Sequence, residues 1–67
     1  MQLHQLLRIV DLNIPIILFN MNFSILEEAE TKDKLSIKYY ESDVYKITVS
    51  FQNTFKQNTL CVILLEY

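Results

Sequence analysis

The stretch Val44-Tyr45-Lys46-Ile47-Thr48-Val49-Ser50-Phe51 contains the clearest strand pattern in this chain of 67 residues. Apolar and polar side chains alternate along it, which is typical of a strand with two unlike faces. The apolar face holds Tyr45, Ile47, Val49 and Phe51. The polar face holds Lys46, Thr48 and Ser50. The pattern therefore predicts a strand over residues 44–51.

A final strand is predicted over residues 59–67, Thr59-Leu60-Cys61-Val62-Ile63-Leu64-Leu65-Glu66-Tyr67. A polar loop over 52–58, which contains Phe55, separates it from the preceding strand. Most of the final strand is apolar on both faces. Such a strand is expected at the centre of a sheet, or covered by a helix on one side and by a second sheet or subunit on the other.

The first half of the chain predicts a helix followed by a β-hairpin. Leucines and a valine at positions 3, 6, 7 and 10 recur at helical spacing. Pro15 prevents the helix from continuing, because the residue before a proline favours extended geometry. Strands are predicted over 14–19 and 23–28, with a turn at Asn20-Met21-Asn22 between them. The whole order is α-β-β-(short element)-β-β. We expect one small α+β domain, residues 1–67, with the helix packed on an antiparallel sheet of about four strands.

The chain contains no glycine and five asparagines. Asparagine tolerates left-handed backbone, so the turns are predicted at Asn13, Asn20, Asn22 and in the loop from Asn53 to Asn58. The lack of glycine also excludes phosphate-binding loops and dinucleotide fingerprints, which depend on that residue.

Size, charge and cysteine content restrict the class of protein. A 67-residue domain encloses little volume, yet 51% of its residues are hydrophobic, which favours a second copy or a partner. The net charge of −2 argues against direct nucleic-acid binding. The single cysteine, Cys61, lies in an apolar run and suits the reducing cytoplasm. The apolar stretch over 12–19 is too short to span a membrane.

The residue types that support catalysis or metal binding are sparse. His4 lies on the polar side of the predicted helix, and Cys61 has only apolar neighbours, so each is interpreted structurally. A small hydrolase that uses both residues is a remote alternative. Glu27, Glu28 and Glu30 are interpreted as a solvated strand end and not as a metal site, because no glycine provides a tight ligand loop. We expect no catalytic set, no metal and no cofactor.

The segment from Glu27 to Lys46 carries ten of the fourteen charged residues and two adjacent tyrosines. Part of it, residues 32–43, is predicted to be a connecting segment with a helical turn or a short edge strand. Tyrosine is enriched at protein interfaces, and acidic side chains can occupy a basic cleft of a partner. For Tyr39 and Tyr40, packing over the sheet stays open as the alternative. The predicted partner-binding residues are Glu28, Glu30, Asp33, Tyr39, Tyr40, Glu41 and Asp43.

Several short patterns resemble a loose class of small phage and mobile-element accessory proteins of low-GC Gram-positive bacteria. The matching residues are Leu3, Leu6-Leu7, Asp11, Asn13, Pro15-Ile16, Lys32-Asp33, Val44, Ile47, Leu60, Val62 and Leu64. The resemblance implies no shared catalytic residues. It implies a cytoplasmic, non-enzymatic protein that binds and modulates or inhibits a host protein, such as a defence nuclease.

An alternative function follows from the apolar composition. The chain could form a homo-oligomer that closes an apolar sheet face on itself, with a small-molecule or nucleotide site at the subunit junction.

Overall fold

The computed structural model describes residues 1–65 and confirms a small α+β fold. Its elements are α1 (Leu3–Leu7), β1 (Ile16–Phe19), β2 (Ile25–Ala29), two 3₁₀ helices (Lys32–Lys34 and Ile37–Tyr39), β3 (Val44–Gln52) and β4 (Gln57–Leu64). The helix is shorter than its apolar spacing predicts. The connecting segment contains helical turns, which is one of its two predicted forms, and not a short edge strand. The predicted continuation of the last strand over Glu66 and Tyr67 lies outside the described residues.

The four strands form a mixed sheet in the order β2-β1-β4-β3. β1 pairs with β2 and β3 pairs with β4 in antiparallel fashion, but β1 and β4 run parallel at the centre. The wholly antiparallel sheet predicted from the sequence is therefore corrected to a mixed one. Since β2 and β3 each run opposite to this central pair, they point the same way. Residues 30–43 consequently return across one face of the sheet, from the end of β2 to the start of β3.

The hydrophobic core lies between this returning segment, α1 and the sheet. On the sheet side it contains alternate residues of the strands: Ile16, Leu18, Ala29, Leu60, Val62 and Leu64. The cover contributes Leu3, Leu6, Leu7, Leu35 and Tyr39. The short α1 supplies three of these leucines because its apolar positions recur at helical spacing. We call this side of the sheet the covered face.

The opposite face of the central strands is also buried, at Ile17, Cys61 and Ile63. Neighbouring side chains of β3 shield the cysteine: its Sγ lies 3.6 Å from Ser50 Oγ and 3.9 Å from Gln52 Nε2. β4 thus occupies a central position, as the sequence predicts for a strand that is apolar on both faces, and β1 occupies the other central position.

Asparagine organises the first hairpin, as predicted. The Oδ1 atom of Asn20 accepts hydrogen bonds from the backbone N–H groups of Asn22 (2.9 Å) and Ser24 (3.0 Å). The left-handed backbone nevertheless lies at other residues. Positive φ occurs at Phe23 (64°) and Lys56 (53°), so the expectation that asparagines take this conformation is wrong at both turns. In the first hairpin Asn20 acts through its side chain, and Phe23 takes the unfavourable backbone conformation.

Replacing Lys56 with glycine is expected to stabilise the protein. A non-glycine residue in the left-handed region costs about 1–2 kcal/mol, whereas glycine's greater freedom in the unfolded chain costs about 0.5–1 kcal/mol. The free energy of unfolding, measured by urea titration, should therefore rise by about 0.5 kcal/mol in Lys56→Gly. Thr54→Gly, in the same turn at negative φ, is the control and should lower it. Equal losses in both variants would contradict the left-handed backbone at Lys56.

Candidate functional site

The two adjacent tyrosines of the predicted partner site have different environments. Tyr39 is only 6% exposed and belongs to the hydrophobic core. Its proposed place on a partner surface is therefore corrected, and the packing alternative holds for it. Tyr40 is half-buried, and its backbone carbonyl accepts a hydrogen bond from His4 N–H at 2.9 Å. Only Tyr40 of the pair presents side-chain surface to solvent.

The acidic residues of the predicted site are exposed but do not form one ridge: Glu28, Glu30, Asp33, Glu41 and Asp43. Glu28 pairs with Ile17 and lies on the face opposite the cover, on the edge strand β2. Glu30 faces Lys34 at 3.6 Å, and Asp33 accepts a hydrogen bond from the Thr31 hydroxyl. Asp43 bridges to Gln2 beside β3, at the opposite edge of the sheet. A partner role for these carboxylates stays a prediction.

Glu27, which the sequence assigns only to a solvated strand end, holds the returning segment in place. Its Oε2 atom accepts a hydrogen bond from Ser36 N–H, and its Oε1 atom accepts one from the Ser36 hydroxyl, both at 2.7 Å. Glu27 lies on the covered face because it pairs with the core residue Leu18. Its role is therefore structural.

A shallow, open concavity of about 240 Å³ lies beside α1 and is lined by His4, Leu7, Arg8, Lys32 and Tyr40. The Lys32 ammonium donates hydrogen bonds to the carbonyl oxygens of Leu7 (2.7 Å) and Val10 (2.6 Å). It thereby satisfies carbonyls that the end of the helix leaves without partners. His4 Nε2 lies 2.8 Å from Gln2 Oε1. These hydrogen bonds within the fold explain the positions of the Lys32 ammonium and the His4 ring.

The remote hydrolase alternative requires His4 and Cys61 to meet. His4 is on α1, over the covered face, whereas Cys61 points to the opposite face and is packed against Ser50. The sheet lies between the two side chains, so they do not form a nucleophile–base pair. Among residues 1–65, no group of three His, Cys, Asp or Glu side chains is placed to hold a metal ion.

The edge strand β3 is the candidate interaction site. Its start is covered by the N-terminus, because Val44 N–H donates to the Met1 carbonyl at 2.8 Å and Gln2 bridges to Asp43. Beyond Val44, no strand within residues 1–65 pairs with the outer side of β3. Residues 46–52, which we call the open edge, thus present their outer side without a neighbouring strand.

The direction of the peptide groups along the open edge follows from the pairing of β4. Leu60 N–H donates to the Pro15 carbonyl at 2.9 Å, so Leu60 directs its backbone groups toward β1. Successive residues of a strand direct these groups to alternate sides, so Cys61 directs them toward β3, where its partner is Thr48. The outward-pointing N–H and C=O groups of the open edge therefore belong to Ile47, Val49 and Phe51.

The same three residues expose their side chains, by 40%, 62% and 60% respectively. Ile47 pairs with Val62 and Val49 with Leu60, so their side chains lie on the covered face. The cover does not reach them. β1 has only four residues and its pairing with β4 starts at Ile16–Leu60, whereas β3 and β4 continue beyond that point to their turn. The apolar face predicted over 44–51 is found at Ile47, Val49 and Phe51, and these side chains are open to solvent.

The two edges of the sheet are protected very differently. β2 has five residues, a register irregularity and the adjacent carboxylates Glu27 and Glu28. Short length, bulges and charges are the usual means by which proteins prevent pairing at an edge. β3 has nine residues, a register irregularity only at its start, and one charged residue, Lys46. The β3 edge therefore lacks most of the protection that β2 has.

Comparison of the chain with protein-family models, with curated proteins and with solved structures found no match. No helix within residues 1–65 has the length and apolar character needed to cross a membrane. The function must therefore be argued from the residues themselves.

Removing the ammonium of Lys32 is expected to destabilise the fold. Lys32→Met retains the aliphatic stem but leaves the carbonyls of Leu7 and Val10 without this donor. A hydrogen bond to a charged group contributes about 1.5–3 kcal/mol, so we expect the free energy of unfolding to fall by about 2 kcal/mol. The control is Lys34→Met, which removes only an exposed ion pair and should change it by less than about 0.5 kcal/mol. Equal losses in a urea titration would refute the role of Lys32.

Proposed function

We propose that this chain is a non-enzymatic interaction protein that binds an extended segment of another protein chain along the open edge of β3. One observation supports this above all. Ile47, Val49 and Phe51 present outward-pointing peptide groups and exposed apolar side chains together. In strand addition, the main-chain hydrogen bonds give affinity and the alternate side chains give specificity. The open edge offers both kinds of contact over one continuous stretch.

The composition of the chain also supports an interaction role. A folded domain exposes scattered apolar residues as a matter of course, but a contiguous apolar surface marks an interaction site. Here the exposed apolar residues of β3 lie in one row on one face of a long edge strand. Burial of each such side chain contributes up to about 1.5–3 kcal/mol, from which the entropy of association must be subtracted.

The resemblance to phage and mobile-element accessory proteins suggests where this binding would act. In that setting the partner is a host protein, such as a defence nuclease, and binding modulates or inhibits it in the cytoplasm. Strand addition needs no catalytic residue and works by stoichiometric occupation of the partner.

The proposal is tested by affinity capture with two matched lysine variants. Val49→Lys places a charge at the middle of the open edge, and Ile37→Lys places the same charge on an exposed side chain of the second 3₁₀ helix. From a lysate of cells that naturally contain the protein, we expect Val49→Lys to recover less than about a tenth of each protein captured by the wild type. Ile37→Lys should capture the same proteins in the same amounts as the wild type. Quantitative mass spectrometry provides the measurement.

The same experiment distinguishes the open edge from the acidic surface. Glu41→Ala and Tyr40→Ala change two of the residues first predicted to bind a partner, and neither lies on β3. If capture is lost with these variants and survives in Val49→Lys, the binding surface is the acidic segment and the proposal for β3 is wrong. Circular dichroism of each variant establishes that it is folded.

A further inference from the structure

We infer that the segment which pairs with the open edge is β3 of a second copy of this chain. The two β3 strands run antiparallel about a two-fold axis centred on Val49, so that both four-stranded sheets join into one. This inference rests on the proposed function, because it concerns the same edge: a second copy and a host protein would compete for it, and the second copy occupies it in the isolated protein. The register, the side-chain pairs and the charges of β3 each support it.

The open edge determines the register. The position beside Val44 is occupied by Met1, and the turn to β4 begins at Asn53, so the length available for pairing is residues 46–52. The midpoint of this length is Val49. A two-fold axis at Val49 uses the whole open edge of both copies. An axis at Thr48 would bring Gln52 of the second copy to the position of Met1.

The backbone groups are compatible with this register. Pairing about Val49 places Ile47 opposite Phe51 of the second copy and Val49 opposite its own equivalent. These are the residues whose N–H and C=O groups point outward. In an antiparallel ladder, such pairs exchange both hydrogen bonds, so the three pairs form about six bonds across the axis. Thr48 and Ser50 keep their bonds to β4.

The side-chain pairs in this register include favourable types, and none places like charges opposite one another. On the covered face, Ile47 meets Phe51 of the second copy, and Val49 meets Val49. On the opposite face, Thr48 meets Ser50, and Lys46 meets Gln52. Aromatic–β-branched pairs and hydroxyl pairs stabilise adjacent antiparallel strands, whereas like charges opposite one another destabilise them. The sequence of β3 is therefore complementary to itself about Val49.

The charges of β3 permit the pairing. Lys46 is the only charged residue of the strand. In the two-fold register the two Lys46 side chains lie at opposite ends, six residues or about 20 Å apart along the strands. This separation exceeds the screening length of about 8 Å at physiological ionic strength. Glu27 and Glu28 lie on β2, at the far edge of the sheet, and Asp43 precedes the residues of β3 that pair in this register.

The interface is small, and this sets the concentration at which association is visible. A pair of seven-residue strands lies at the low end of specific interfaces, for which dissociation constants in the micromolar range are typical. The first test is sedimentation velocity of the wild-type protein from about 5 µM to about 1 mM. We expect the weight-average mass to rise from monomer to dimer. A monomer throughout this range overturns the inference.

The second test examines the two-fold axis with paired charge variants. Val49→Lys and Val49→Glu each place like charges opposite one another, so each variant alone should remain monomeric where the wild type dimerises. A mixture of the two places opposite charges across the axis and should restore the dimer. The control Ile37→Lys changes an exposed residue outside β3 and should dimerise as the wild type does. No restoration in the mixture, with both variants folded, would show that Val49 does not face Val49.

The third test separates strand pairing from face-to-face packing. Amide hydrogen exchange of Ile47, Val49 and Phe51 should slow as the concentration rises, because these N–H groups bond across the axis. Exchange of Thr48, which is bonded to β4, should change little. A dimer that leaves the three outward amides unprotected would refute the strand register.

The outcomes for the inference and for the proposed function are distinct. If the chain stays monomeric at all concentrations but Val49→Lys still abolishes capture of another protein, the open edge binds that protein and the second copy is ruled out as its occupant. If the charge-paired mixture restores a dimer, the second copy is the occupant, whatever other proteins are captured.

Discussion

The structure depends on the parallel pairing of β1 and β4. Both strands are apolar on both faces, and their burial requires a neighbouring strand on each side. A four-stranded sheet offers only two such positions, which are adjacent. Two hairpins, β1–β2 and β3–β4, must therefore be joined through β1 and β4. The direction of the central pair then requires the chain between the hairpins to cross the sheet.

That crossing explains why the most charged part of the chain contributes to the core. Residues 30–43 must pass over the sheet, so Leu35 and Tyr39 turn inward while their charged neighbours stay in solvent. Two polar contacts hold the crossing in place: the Glu27 carboxylate with Ser36, and the Lys32 ammonium with the end of α1. Both charged side chains bind backbone groups that would otherwise lack these partners.

Local pattern predicted the elements of this fold but not their arrangement. Period-two alternation located β3, and apolar runs located the central strands, because both signals depend on neighbours in sequence. The parallel orientation of β1 and β4 depends on residues more than forty positions apart, so no local pattern contains it. The burial of Tyr39 and the left-handed backbone at Phe23 and Lys56 likewise follow from the crossing and from the turns, and not from residue type alone.

The open edge of β3 follows from the same constraint. β1 and β2 have four and five residues, whereas β3 and β4 have nine and eight, so one hairpin extends beyond the other and beyond the cover. Residues 1–65 contain one short α-helix and two 3₁₀ turns with which to cover the sheet, and these lie at the end away from the turn between β3 and β4. A domain of this size buries only about 60% of its unfolded surface. Where the unburied apolar surface lies on an edge strand with unpaired peptide groups, another strand can bury the apolar side chains. The same strand can form hydrogen bonds with the unpaired peptide groups. The exposed apolar side chains of β3 and its unpaired peptide groups therefore have one structural origin, the difference in length between the two hairpins.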